Sequence, residues 1–153
     1  MLQWRMQMTV PNEILLAEVG NLLDEGKDVI LLTKGNSMLP FIRGEKDSVL
    51  LRKSAPESLM AGDIVLAEVA PKQYVLHRVL SCDGDVLYLK GDGNVRGKGE
   101  RCRRKDVLGS VVEVIRPDGR HSKPAVARFW LSLHPFARRC FLALYRRIAL
   151  LIV

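Results

Sequence analysis

The sequence lacks the cysteine pattern of a disulfide-stapled or zinc-binding domain. Its three cysteines, Cys82, Cys102 and Cys140, are an odd number without metal-ligand spacing, which gives no disulfide framework and no zinc motif. A phosphate-binding Gly-x-x-x-x-Gly-Lys-Ser/Thr loop is missing as well, and the stretch that begins at Asp92 has arginine where a calcium loop needs carboxylates. We therefore expect neither a metal nor a cofactor.

Long hydrophobic runs are also lacking. No early apolar run has the length of a membrane span or the layout of a cleaved export signal. The stretch after Arg139 is only 14 residues long and contains Arg146 and Arg147, which disfavours a transmembrane helix. We expect a protein that is cytoplasmic or peripherally associated with a membrane.

Acidic residues are scarce in the last quarter of the chain. From Arg116 onward, eight lysines and arginines accompany a single acid, Asp118, whereas residues 1–115 hold 16 basic and 16 acidic residues. The net charge of +7 therefore belongs to the C-terminal part. We predict that residues 117–153 form a basic amphipathic helical tail, with Pro135 dividing the helix in two.

The faces of this tail leave its role open. Its aromatic and aliphatic residues, including Leu151 and Ile152, fall on one half of a helical wheel, and its arginines fall on the other. An interfacial helix on an anionic membrane surface, formed by residues 128–153, fits this pattern. Packing of the tail against the body fits equally well. Nucleic acid is a less favoured partner because the apolar face favours lipid.

A single helix is predicted before the main body. Leu15, Val19, Leu22 and Leu23 recur at the spacing of one helical face, and Gly26 suits the left-handed residue that ends a helix. We therefore predict a helix over 12–25 within an N-terminal helical segment, residues 1–27.

Residues 28–116 have the pattern of a β domain. Short apolar runs predict strands over 28–33, 47–53, 62–69, 73–81 and 107–115, with residues 73–90 forming a hairpin. Because little helix lies between these runs, we predict a mainly β fold with a coiled or partly closed antiparallel sheet.

Three polar residues in this domain have the chemistry of a nucleophile, a base and an orienting acid. Ser37 lies in a turn after the first predicted strand, His77 lies on a strand face between Val75 and Val79, and Asp92 lies in a glycine-rich loop. A serine hydroxyl becomes a nucleophile when a base takes its proton, and the base works best when a third group fixes its tautomer. Three other carboxylates compete with Asp92 for the third role: Asp63, Asp83 and Asp85.

The boxes around these residues resemble the signal peptidase I and LexA-type serine peptidase superfamily. They read Gly35-x-Ser37-Met38-x-Pro40, His77-Arg78-Val79 and Gly91-Asp92-x-Asn94, and a Gly-Asp-Ile-Val strand opening at 62–65 lies between the first two. The resemblance covers about residues 28–115. Many members use lysine as the base, so His77 places the chain nearer the Ser/His, signal peptidase-like branch.

The resemblance implies a serine endopeptidase that cleaves a peptide or protein through an acyl-enzyme on Ser37. His77 would act as general base, Asp92 would orient it, and the Ser37 N–H would help to bind the oxyanion. One alternative is a self-cleaving LexA-like regulator, although the residues before Ser37 offer only one convincing helix for DNA binding. Another is a non-catalytic membrane-surface binding protein of the same fold.

Overall fold

The computed structural model describes residues 3–6 and 12–152 of the chain, with side chains described for residues 13–148. The strands are β1 (Gln3–Met6), β2 (Asp28–Leu32), β3 (Ser48–Arg52), β4 (Ile64–Ala70), β5 (Gln73–Asp83), β6 (Val86–Lys90), β7 (Glu100–Arg103), β8 (Val107–Ile115) and β9 (His121–Ser122). The helices are α1 (Asn12–Asp24), α2 (Arg128–Ser132) and α3 (Pro135–Ile152), and short 3₁₀ turns cover Pro56–Ser58 and Arg104–Asp106.

All the described strands belong to one sheet. Its order is β1-β2-β3-β8-β4-β5-β6-β7, and β9 pairs with β8. Only the β1–β2 pair is parallel, so the prediction of a mainly antiparallel β fold is confirmed. No pairing joins β1 to β7 in the described residues, and the sheet is not closed. It curls nevertheless, because β4 contacts β7 without being its hydrogen-bonded neighbour.

Strand β4 separates two hydrophobic cores. Side chains alternate across a strand, and Ile64 and Leu66 lie in a core with α1, β2, β3 and β8. Val65 and Ala67 lie in a second core with residues of β5, β6 and β7. Consecutive apolar residues in β4 therefore reflect burial on both faces.

Helix α1 confirms its predicted start and ends one residue before the predicted end. Its apolar face packs into the first core through the four residues identified by periodicity, Leu15, Val19, Leu22 and Leu23. At its C-terminus Gly26 has φ +81°. The Gly26 N–H donates to Leu23 O and the Lys27 N–H donates to Leu22 O, which is the paired capping pattern that favours glycine.

The tail forms two helices that divide before Pro135, as predicted. Trp130 of α2 and Leu142 of α3 are buried in a small third core with Leu39. The side chains of Leu151 and Ile152 lie outside the described residues. None of the helices in the described ranges combines the length and hydropathy needed to cross a bilayer.

Candidate active site

Ser37 lies in a turn-rich connection between β2 and β3. The two ends of the connection are tied together, since the Thr33 N–H donates to Asp47 O at 3.0 Å and Thr33 Oγ1 donates to the same oxygen at 2.8 Å. Gly35 has φ +71°, a backbone conformation that residues other than glycine rarely adopt. The backbone geometry of the serine turn therefore favours glycine at position 35.

A buried charge cluster stabilises this connection. The Asp47 carboxylate accepts hydrogen bonds from the Arg43 side chain at 2.9 and 3.1 Å, from the Arg43 N–H at 2.8 Å, and from Arg116 at 2.7 Å. Burial alone would raise the pKa of Asp47, but the hydrogen bonds from Arg43 and the charge of Arg116 outweigh it and lower that pKa below its ordinary value of 3.8. Asp47 is therefore a structural anion beneath the serine turn.

His77 is held by a glutamate from another strand. Its ring, 7% exposed, lies on β5, and its Nδ1 is 2.8 Å from Glu100 Oε2 at the start of β7. An ionised carboxylate can only accept a hydrogen bond, so a neutral His77 ring carries its proton on Nδ1. Nε2 is then left as the acceptor, which is the tautomer that a general base requires.

Ser37 and His77 border the same space. Both line a cavity of about 290 Å³. A Cβ added to Gly91 would collide with the Ser37 carbonyl oxygen and would lie 3.1 Å from His77 Nε2, so the serine backbone and the reactive ring nitrogen face one small volume. Ser37 Oγ makes no hydrogen bond to His77 or to any other described residue. Catalytic hydrogen bonds are often long or poorly aligned until substrate binds.

Asp92 does not orient His77, and that prediction is wrong. Both of its carboxylate oxygens accept hydrogen bonds from Arg78, from Nε at 2.8 Å and from Nη2 at 2.8 Å. The two side chains are almost completely buried. The carboxylate on His77 is Glu100, which was not among the rival acids Asp63, Asp83 and Asp85.

The physical reason lies in the alternation of β5. His77 and Arg78 are consecutive, so their side chains point to opposite faces of the strand. A buried guanidinium stays charged and needs acceptors for its donors, whereas an imidazole can stay neutral with a single partner. Asp92, from the loop after β6, therefore pairs with Arg78, which also donates to Gly62 O at 2.9 Å and lies over the Phe41 ring at 5.8 Å.

The Asp92 loop clasps the serine turn through its backbone. The Gly93 N–H donates to Ser37 O at 2.8 Å. A Cβ on Gly93 would lie 2.8 Å from Asn36 O and 3.1 Å from Leu39 O, so this glycine is required for close approach. Trp130 Nε1 donates to Asp92 O at 2.8 Å. The loop 91–94 thus fixes where the Ser37 backbone lies, although the Asp92 carboxylate is bonded to Arg78 and not to the imidazole.

Backbone donors remain available next to the serine. The N–H groups of Ser37 and Met38 donate to no described residue. Unpaired N–H groups in a turn beside a nucleophile can bind a developing oxyanion. The oxyanion role of the Ser37 N–H stays a prediction.

The cavity walls suit an apolar side chain of an extended peptide. Its lining includes Leu16, Leu31, Ile42, Leu66 and Tyr74. Along β5, residues 73–77 pair with β4, whereas the β6 pairing begins at Arg78. One edge of β5 therefore lacks a described strand partner beside the cavity, and such an edge can accept an added strand.

Glu100 is the residue of the candidate site that was not predicted from the sequence. It begins a strand whose other residues are Arg101, Cys102 and Arg103, and a charged run of this kind indicates a loop rather than a strand. Its one available signal is that it is an acid between the glycine-rich loop that carries Asp92 and the basic residues Arg101, Arg103, Arg104 and Lys105. No group of three or more potential metal-ligating side chains occurs in the described part of the chain.

Comparison with known proteins adds no family assignment. No protein-family model matches the chain, and no curated protein matches it in sequence.

Proposed function

We propose that the protein is a serine endopeptidase of the signal peptidase-like Ser/His branch, acting on a peptide or protein. The main support is that Ser37 and His77 line one cavity while Glu100 holds the imidazole with Nε2 free. The sequence boxes around Ser37, His77 and Asp92 support the same assignment. Here Asp92 serves as the partner of Arg78, and Glu100 takes the orienting role.

The reaction begins when Ser37 Oγ attacks the scissile carbonyl carbon and His77 Nε2 takes the hydroxyl proton. Glu100 accepts from Nδ1–H and stabilises the imidazolium that forms. The N–H groups of Ser37 and Met38 bind the oxyanion. The C–N bond then breaks, His77 gives its proton to the leaving amine, and water hydrolyses the acyl-enzyme by the same base.

The substrate binds in extended form along the partner-free edge of β5. Main-chain hydrogen bonds to such an edge give affinity, and a pocket for one side chain gives specificity. The walls named above are apolar, so an aliphatic side chain next to the scissile bond fits the cavity better than a charged one.

An acylation assay tests this function. A serine-reactive acylating probe should label the full-length protein at Ser37, and Ser37→Ala should abolish the label. Glu100→Gln should slow labelling about 100-fold or more, because general acid–base catalysis contributes roughly 10²- to 10⁴-fold and Glu100 holds the base in its working tautomer.

Matched controls exist in the chain. Ser122 is an exposed serine, and Ser122→Ala should label like the parent. His121 and Glu113 form an exposed pair, with Nδ1 and Oε2 2.6 Å apart. Neither residue lines the cavity of Ser37 and His77, so Glu113→Gln removes a similar contact outside the candidate site and should leave the labelling rate unchanged. Labelling that survives Ser37→Ala, or that falls equally in Glu113→Gln, contradicts the assignment.

A non-catalytic binding protein of the same fold is the second candidate. The absence of a hydrogen bond from Ser37 Oγ to the described residues favours it. Such a protein would bind peptides that fill the cavity without cleaving them and would not be acylated at Ser37, whereas the peptidase would cleave them and would be acylated. A LexA-like regulator has less support, because α1 is the sole described helix before Ser37.

A further inference from the structure

Helix α3 and the loop after β6 enclose a cationic groove. The groove is lined by Arg96 from the loop and by Arg139 and Arg146 from α3, together with Asn94 and Phe136. All three arginines are exposed. Three guanidinium groups around one groove give it a strong preference for anions.

These arginines have no acid to neutralise them. Within the described residues none of the three forms a salt bridge, and the stretch from residue 119 to the end contains no aspartate or glutamate. The groove therefore presents uncompensated positive charge, which phosphate oxygens satisfy well.

An exposed apolar surface of α3 meets the groove at Phe136, which belongs to both. Leu142 and Tyr145 face the body, with Leu142 in the third core. At 100° per residue, Leu144 is about 160° away from Leu142 around the helix axis. The exposed apolar side chains of this outer surface are Phe136, Leu144 and Ile148, and the half-exposed Phe141 lies at its edge against Trp130. Arg147 is exposed beside them.

We propose that α3 and the 94–96 loop form a docking surface for an anionic lipid bilayer. The outer apolar surface enters the acyl boundary, and Arg96, Arg139 and Arg146 bind lipid phosphates at the headgroup level. Because α3 keeps its body-facing side on Trp130 and Leu39, docking needs no unfolding of the tail. The inference goes beyond the proposed peptidase activity and does not depend on it.

The surface favours lipid over the other possible occupants. A second copy of the chain would bring like-charged arginines together across a shared interface. Nucleic acid would use the arginines but would leave Phe141, Leu144 and Ile148 in water. A bilayer satisfies both the charges and the apolar side chains.

Vesicle flotation of the full-length chain tests the proposal. The protein should float with phosphatidylcholine vesicles that contain about one-third phosphatidylserine, and it should stay at the bottom with phosphatidylcholine alone. The double variant Arg139→Gln/Arg146→Gln should lower partitioning about 10- to 30-fold, because each basic residue near an anionic surface contributes about a factor of five. Leu144→Gln should also lower it.

The matched control removes the same charge elsewhere. Arg101 and Lys105 are exposed on the body, and Arg101→Gln/Lys105→Gln should float almost like the parent. Equal loss in the two double variants would overturn the proposal, as would equal binding to both vesicle types. Retention on duplex DNA without flotation, or a concentration-dependent dimer without flotation, would also overturn it. Millimolar inorganic phosphate should not release the protein from the vesicles. If the groove bound only phosphate groups, free phosphate would compete with the lipid and release the protein.

Discussion

Asp92 and Glu100 are two carboxylates with different duties in one small region. Asp92 is buried against Arg78, so removing its charge leaves an uncompensated guanidinium in the interior. Glu100 is partly exposed and pairs with an imidazole that can be neutral. Asp92 therefore contributes to the stability of the fold, and Glu100 contributes to the proposed reaction.

Asp92→Asn should destabilise the protein by about 3–5 kcal/mol, the usual cost of breaking one side of a buried ion pair. Glu100→Gln should lower the free energy of unfolding by no more than about 1 kcal/mol. Denaturant unfolding measures both values. Asp85→Asn, which removes an exposed partner of Arg103, is the control and should change stability by less than about 0.5 kcal/mol. A fully stable Asp92→Asn that fails to acylate would return Asp92 to the catalytic site.

At the scale of elements, the tail is an integral part of the fold. Trp130 contacts Phe41 edge-on, with ring centroids 6.4 Å apart, and Phe141 of α3, with centroids 5.4 Å apart. Its indole nitrogen donates to the carbonyl of Asp92. α2 thus connects α3 to the two loops that carry Ser37 and Asp92.

Trp130→Ala should lower the free energy of unfolding by about 3–5 kcal/mol, because it leaves a cavity and an unpaired carbonyl. Trp130→Phe should cost about 1–3 kcal/mol, since most of the ring remains and the donor is lost. The neighbouring Phe129 is 78% exposed, and Phe129→Ala should stay within about 0.5 kcal/mol of the parent. Thermal and denaturant unfolding compare the three, and equal effects at positions 129 and 130 would contradict packing of the tail.

Elements with strong periodicity could be predicted from sequence, and elements that depend on distant partners could not. The apolar spacing of α1 and the hairpin pattern over residues 73–90 are local signals, and both predictions are confirmed. β1 is a short strand whose ladder comes from β2, and no element was predicted there. β7 is paired with β6 in spite of its charged residues. In both cases the strand forms because it pairs with a neighbouring strand, and the residues of the segment alone do not reveal that pairing.

The same limit explains the site. Ser37 and His77 were selected by local sequence, and they line one cavity. The partner of the imidazole depends on which carboxylate the curled sheet brings to it. Asp92 follows β6 and Glu100 begins β7, so only the register of three strands and the burial of Arg78 separate them. No sequence spacing contains that information.

For the whole molecule, acid should be a strong denaturant. The hydrogen bond from Arg52 lowers the pKa of Asp28 below its ordinary value of 3.8, and Asp47 is lowered as described above. A carboxylate whose pKa is lower in the folded state stabilises the protein fully above its unfolded pKa. That contribution is lost as pH falls below 3.8 through the folded pKa.

The free energy of unfolding should therefore drop steeply as pH is lowered from about 5 to 2. Denaturant titrations at a series of pH values measure the slope. Asp28→Asn should be less stable than the parent at pH 6, and the difference should shrink at pH 2 because the parent carboxyl is then protonated. A difference that stays constant across this range would show that the Asp28–Arg52 pair contributes no pH-dependent stability.

Strand β4 gives the molecule its cooperativity. Its odd and even residues contribute to different cores, so neither half of the sheet can lose its interior while the other survives. The chain should melt in a single transition, and the amides of β4 should be among the last to exchange with deuterium, because they open only when the entire sheet does.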